Sequence, residues 1–466
     1  MARKELSVGI VGAGIGGLMA AIAMAQAGCQ VTILEAAEQL GEIGAGIQMT
    51  PNASRLLIRY GVHEAIGDNL VPFTELNLRK KNGEKVGYTL IKRVEEALGY
   101  PWWLVHRHHL HTGLVKVARR NGVRILVGSR VRDLIQGPEG SVNVATTTGK
   151  TYAFDLVVGA DGVQSVVRKT LFLHVRPCPP TGNCAYRAIV PYDEVRCDPL
   201  TRSLVEDANG DSIKTMEVWM SPSGYIISYP ISNCKDFNMV LSHFRKPSVD
   251  TVQEVSVEEV RNEYQGYDAR IERVISMIKA PIARWPLLVT GPLESWSNSA
   301  KNVVLMGDAA HSMTNHMAQG AATSMEDGAF LARCLSHVVG GTLSLRDAIA
   351  LYERGRMPKA SYKQQLSYLN GWLWHLPDGA AAEARNRTMT CELDGQVPIR
   401  SANLYGDPST VLECYGYDAE EHADQVVEEY FNSAPIKCQA TSVTQTEACR
   451  KANWFLPGKF QFTPKL

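Results

Sequence analysis

The first 35 residues constrain this chain more than any other stretch. Leu6 to Val11 is a short apolar run that fits a buried parallel strand, Leu18 to Ala27 an Ala/Met-rich helix, and Val31 to Leu34 a second strand. Between the first strand and the helix stands Gly12-Ala13-Gly14-Ile15-Gly16-Gly17, which gives GxGxxG at Gly12, Gly14 and Gly17. The first glycine permits a tight turn, the second lets backbone approach a pyrophosphate, and the third allows close packing of helix on strand. The helix N-terminus then offers free N–H groups and a positive dipole end to phosphates. Glu35 closes the second strand about 20 residues on, where a carboxylate can accept from ribose hydroxyls. A β-α-β dinucleotide site follows, but the motif alone does not separate FAD from NAD.

The rest of the chain is long enough to bury two or three layers: 466 residues, 45% of them hydrophobic. Lys+Arg and Asp+Glu both total 48, so no charge excess favours nucleic acid or an acidic membrane surface. The ten cysteines are scattered without a CxxC pair, which argues for a reducing compartment and against a disulfide framework or zinc site. The glycines interrupt the apolar N-terminus, so it reads as strand, turn and helix and not as a signal peptide. No segment reaches about 18 uninterrupted apolar residues, and a cytoplasmic protein without a membrane span is expected.

Val123 to Val127 and Asp155 to Gly159 read as further buried strands, with a β-meander between Val131 and Tyr152. From about residue 178 to 282 the texture turns strand-rich, as in Tyr225-Ile226-Ile227-Ser228-Tyr229. Asn302 to Met306 then returns to the buried-strand pattern, and Ala318 to Val338 and Leu343 to Leu376 read as long helices. The expected fold is α/β: a GxGxxG nucleotide-binding domain with a parallel sheet (1–177), interrupted by a mixed β-sheet substrate domain (178–285) and resumed with C-terminal helices (286–390). A C-terminal extension (391–466) follows, irregular after about Pro435.

Two later motifs place an Asp at the C-terminal end of a parallel strand, where ligands of open α/β sheets gather. They are Gly159-Ala160-Asp161-Gly162 and Gly307-Asp308-Ala309-Ala310-His311. With Gly44-Ala45-Gly46-Ile47-Gln48-Met49-Thr50-Pro51-Asn52, Leu104-Val105-His106-Arg107, Gln319-Gly320-Ala321, Glu326-Asp327 and His375-Leu376-Pro377-Asp378-Gly379, they stand in the order of a known family. From Val8 to roughly Arg387 the chain resembles the single-component flavoprotein hydroxylases typified by salicylate and p-hydroxybenzoate hydroxylase, and most closely their fungal salicylate-hydroxylase-like branch.

That resemblance implies FAD as the cofactor and NAD(P)H as a co-substrate that visits the FAD domain, since no second GxGxxG is present. It implies a small aromatic substrate, phenolic or indole-type, hydroxylated with O2 through a flavin C4a-hydroperoxide. Glu35 would bind the adenosine ribose, Arg107 the FAD phosphates or ribityl chain, and Asp308 the ribityl chain. The motif around Asp161 would serve FAD and NAD(P)H through its backbone. Ala318 to Ala321 would lie under the isoalloxazine, with helix N–H groups stabilising negative charge, and Gly46 and Gln48 would flank the flavin. In the substrate sheet, Arg187 of Tyr186-Arg187 would steady a phenolate, a carboxylate or the hydroperoxide. Tyr225 and Tyr229 lie four apart on one strand and so face one side; Tyr225 is the one taken to hydrogen-bond substrate. The chain departs from the family at Asn315, where proline is common.

Alternatives are weighed on the same residues. The histidines around Arg107 lack a third ligand, so no metal is expected. The Trp-x-Trp-x-Ile-Pro signature of flavin halogenases is missing. An epoxidase or dearomatising oxygenase acting on a secondary-metabolite alkaloid or polyketide stays open, as does a non-catalytic FAD-binding redox module.

Overall fold

The computed structural model describes residues 5–41, 44–172, 181–279, 282–396 and 398–432. The expected boundary at 177/178 and the tail from about Pro435 lie outside them. The fold is α/β, as expected. A five-stranded parallel sheet runs in the order Val303–Leu305, Leu156–Gly159, Ser7–Val11, Gln30–Leu34, Arg124–Leu126. Its strands are short and apolar because both faces are covered. Helices Ile15–Gln26 and Gly320–Val339 pack on one another, and at Gly328 an added Cβ would lie 2.6 Å from Ala20 Cα. The meander expected over 131–152 forms a three-stranded antiparallel sheet, Thr151–Phe154, Val142–Thr146, Val131–Gln136.

The second layer is an eight-stranded sheet. Its order is Gln253–Val255, Ile282–Pro286, Asn183–Pro191, Asp236–Phe244, Gly224–Ile231, Thr215–Ser221, Glu75–Lys80, Lys85–Leu90. All pairs are antiparallel except Thr215–Ser221 with Glu75–Lys80. Two strands therefore come from residues 75–90, ahead of the strand-rich segment. Strand alternation splits Gly224–Ile231 between two cores. Tyr225, Ile227, Tyr229 and Ile231 face the side toward the nucleotide domain, while Ile226 faces the opposite core.

The two layers are joined by a short sheet, Gly46–Met49 with Trp103–His106 and Val71–Pro72. They are also joined by the long helix Leu345–Trp374 and by the segment 398–432, whose helix Ala419–Asn432 packs on Gly320–Val339. Trp102 is fully buried among Phe73, Tyr405 and Tyr415. Cys29, Cys184, Cys197, Cys234, Cys334 and Cys414 are free thiols. Among the described residues no helix is long and apolar enough to cross a membrane.

One fully buried ionic network holds these parts in place. Asp327 accepts from Gly307 N–H (2.9 Å), His311 Nε2 (2.5 Å) and Arg356 Nε (2.8 Å). Glu326 accepts from Asn52 Nδ2 (2.6 Å), Arg356 Nη2 (3.0 Å) and Lys363 Nζ (2.5 Å). Tyr417 lies against both cations. Burial by itself would raise the Asp327 carboxyl pKa, but His311, Arg356 and the Gly307 N–H together hold it below the ordinary value. Removing one partner of such a group leaves an uncompensated buried charge. Arg356→Met should therefore cost about 3–5 kcal/mol, whereas Arg333→Ala, which breaks an exposed pair with Asp424, should cost less than about 1 kcal/mol. Denaturant melts of the two variants check this; equal midpoints would show that the buried network contributes no more than a surface pair.

Candidate active site

A cavity of about 380 Å³ opens where the parallel sheet meets the large sheet. One wall is the glycine turn. Gly12 holds φ +104°, and a Cβ there would lie 2.6 Å from the Ala160 carbonyl oxygen. A Cβ on Gly17 would lie 2.2 Å from Gly12 O, while around Gly14 nothing stands within 4 Å. Thus Gly12 makes the turn, Gly17 packs helix on strand, and Gly14 leaves backbone open to the cavity. Helix Ile15–Gln26 has no side-chain cap and no acidic residue in its first turn, so its N–H groups remain available for phosphate. Glu35 braces this turn: Ala13 N–H (2.7 Å) and Ala37 N–H (2.8 Å) both donate to its carboxylate. The buried His111, which sequence reading left in a histidine-rich run, donates from Nε2 to Ala13 O (2.8 Å).

The opposite wall is a second helix start. Ala318, Gly320 and Ala321 line the cavity, and helix Gly320–Val339 likewise has neither a side-chain cap nor an acidic first turn. Ala318 holds φ +53°, a left-handed conformation costing an alanine about 1 kcal/mol. Gln319 next to it is locked, accepting from Asn52 Nδ2 (2.9 Å) and donating to Thr50 Oγ1 (3.0 Å). The Gly44–Asn52 segment and the helix start are therefore one hydrogen-bonded unit.

Most of the sequence-derived residues converge here. Gly14, Gly17, Gly46, Gln48, Arg107, Arg187, Asp308 and Ala321 line the cavity. Arg107 begins its helix and runs across Gly44, where a Cβ would meet its side chain at 2.9 Å. Asp308 is exposed to the cavity, and desolvation by the surrounding walls raises its carboxyl pKa, against the pull of His311 and Arg107. Asp161 is turned away: its carboxylate accepts from Val166 N–H (2.7 Å) and Val167 N–H (3.1 Å), capping a helix, while its neighbours Ala160 and Gly162 line the cavity. Gly12 and Glu35 lie behind the wall and shape it.

The large sheet supplies the remaining face. Arg187, Val240 and Ile227 occupy one rung across three strands, and all three line the cavity with Tyr229. Tyr225 does not line it. It is fully buried, and its hydroxyl donates to Asn315 Oδ1 (3.1 Å) and lies 2.7 Å from His316 Nδ1. Burial pushes the Tyr225 phenol above its usual pKa and drives His316 down to about 3, so both stay neutral. Asn315 itself lines the cavity, so its turn is tied to the sheet by a side-chain hydrogen bond. Sequence reading missed Ile227 and Val240 and preferred Tyr225 to Tyr229; strand alternation put the two tyrosines on one face but did not say which end of that face the cavity would meet.

The donor set fits FAD on these observations: open backbone at Gly14, two uncapped helix N-termini, and Arg107 and Asp308 between them. Comparison with known proteins agrees. The FAD binding domain family matches residues 5–364. The FAD-dependent monooxygenase OpS4 of Beauveria bassiana is 30% identical over 432 residues, 91% of this chain and 98% of that protein. The 3-hydroxybenzoate 6-hydroxylase of Polaromonas naphthalenivorans is 32% identical over 379 residues, 80% of this chain and 88% of that protein. A solved salicylate hydroxylase substrate complex shares the fold with a TM-score of 0.72 at 20% identity, over 91% of this chain and 98% of that one. The chain belongs to the FAD binding domain family and is an FAD-dependent monooxygenase of the aromatic-hydroxylase type.

Proposed function

We propose that this enzyme uses NAD(P)H and O2 to hydroxylate a small electron-rich aromatic molecule of phenolic or indole type. One oxygen atom enters the ring, and the other leaves as water with the hydride of NAD(P)H and a proton. The observation that carries the reading is a single cavity bounded by the FAD-type residues Gly14, Arg107, Asp308 and Ala321 on one side and by the Arg187–Val240–Ile227 rung on the other. Bound FAD supplies the hydride acceptance and oxygen activation; the chain supplies binding, orientation and a dry site.

The helix start at Gly320 stabilises negative charge on an electron-rich ring placed over it. Arg187 offers a planar cation to an anionic or polarised substrate edge. Ile227 and Val240 flank it with apolar surface, which excludes water and strengthens the Arg187 interaction. Tyr225 acts through Asn315, holding the turn between flavin-side and substrate-side walls.

Purified protein should be yellow and release free FAD on denaturation. Glu35→Ala unties Ala13 and Ala37, and Asp308→Ala removes the cavity carboxylate; each should lower FAD affinity about ten- to hundredfold. Flavin content at limiting FAD checks this, and unchanged content in both variants would refute the assignment.

Arg187→Ala should keep FAD yet lose about a hundredfold in hydroxylation, because the ring is left mobile by roughly an ångström. Hydrogen peroxide should rise relative to product, and Arg187→Lys should rescue only in part. A substrate screen read by NAD(P)H oxidation, with mass spectrometry for one added oxygen, provides the assay. Wild-type product yield per NAD(P)H in Arg187→Ala would make this arginine structural.

A further inference from the structure

We propose that Asn315 is a specificity-determining residue whose side-chain N–H groups donate to an anionic oxygen on the ring substrate, a carboxylate or a phenolate. The inference rests on the aromatic-hydroxylase reading above and narrows its substrate class to rings that carry such an acceptor.

Asn315 lines the cavity and is half-buried. The backbone on either side of it is held independently of its own side chain. Ser367 Oγ donates to Thr314 O (2.6 Å), while Asn370 Nδ2 (2.6 Å) and the Tyr405 hydroxyl (3.2 Å) donate to His316 O. Tyr225 then holds the amide by one end. Its hydroxyl donates to Asn315 Oδ1 (3.1 Å), and the neutral His316 turns Nδ1–H to the Tyr225 oxygen (2.7 Å), so the single phenolic proton is used once. Nδ2 is the end left over. It takes no hydrogen-bond partner among the described residues and keeps accessible surface.

The sheet places this donor at the substrate half of the cavity. Tyr225 and Ile227 share a strand and a side, so Tyr225 stands one step along that face from the Arg187–Val240–Ile227 rung. Among the described residues that line the cavity, Asp308 carries the one carboxylate, and it belongs to the Gly307 turn on the cofactor side. The sheet side thus joins a guanidinium and an amide N–H with no acid beside them. Hydrogen bonds to a charged oxygen are about twice as strong as neutral ones, so this pairing favours an anion. Proline, common at this position in the family that the chain resembles, has no N–H to give. Tyr225 is a positioning residue for Asn315.

The test uses FAD-loaded full-length protein and reads binding by titration calorimetry, which needs no turnover. The probes are two pairs, one for each kind of anion: 3-hydroxybenzoate with 3-methylphenol, and 4-nitrophenolate with 4-nitroanisole. Wild type should bind the anionic member of at least one pair about tenfold or more tightly. Asn315→Ala and Asn315→Pro both remove the donor, the second with a residue that holds the turn by its ring. Each should lower that ratio about tenfold while keeping FAD. Tyr225→Phe releases the amide and should lower the ratio part-way, with unchanged flavin content. The proposal is overturned if wild type does not prefer either anionic probe, or if both Asn315 variants keep the full ratio. Equal weakening of both members of a pair would make Asn315 structural and overturn it too. Loss of FAD from both variants would do the same, by assigning the amide to the cofactor. Failure of the hydroxylase reading shows separately, as no oxygenated product from any ring.

Discussion

Two adjacent acids in the interior, Glu326 and Asp327, decide how the rest of this molecule is arranged. Consecutive residues on a helix point in different directions, so the pair reaches apart. Asp327 holds the Gly307 turn and His311, Glu326 holds Asn52, and Arg356 on the next helix bridges both. With Lys363, the formal charges of the four groups cancel, which makes full burial tolerable. Each anchored segment carries a wall of the cavity: the turn carries Asp308, Asn52 follows the Gly44–Thr50 loop, and the helix itself begins at Gly320. Apart from Gly307, none of these groups lines the cavity, yet they fix the spacing of these three walls.

The cavity lies at a seam, and that explains its chemistry. On the nucleotide side, the protein presents backbone: open N–H groups at two helix starts and glycines that leave room. This suits a large, invariant, anionic cofactor, because backbone donors are rigid and already in place. On the sheet side, it presents side chains from alternate positions of neighbouring strands, namely Arg187, Val240, Ile227 and Tyr229. Such positions can change without disturbing the ladder. One fold can thereby keep its cofactor chemistry while its ring-binding face varies.

Tyrosines and histidines between the layers form a polar seam inside an apolar core. Tyr225, His316, Asn315, Tyr405 and Asn370 exchange hydrogen bonds across segments distant in sequence. Deep burial holds the Tyr225 and Tyr405 phenols above, and the His316 imidazole below, their usual ranges. The seam is therefore neutral and directional. It fixes the turn at Asn315 by side-chain contacts, where a proline would fix it by its ring.

The glycine turn, its strands and helix, and the Asp-bearing strand ends were legible in the sequence because they obey local rules. Periodicity names strand and helix, and a turn with positive φ needs glycine within a few residues. Those rules reach Gly14 and Asp308, whose positions follow from the ends of named elements, whereas Arg107 and the choice of FAD came from the family resemblance. They stop at the substrate face. Tyr225 and Tyr229 share a strand and a side, and nothing local says that Tyr229 meets the cavity while Tyr225 turns to His316. Two strands of the large sheet, Glu75–Lys80 and Lys85–Leu90, come from far upstream, and the segment 398–432 brings Tyr405 and Tyr417 to the interior. Contacts between segments separated by hundreds of residues depend on how whole layers pack. The sequence alone determined which elements form and what cofactor they suit; packing of the two sheets decided which side chains face the ring.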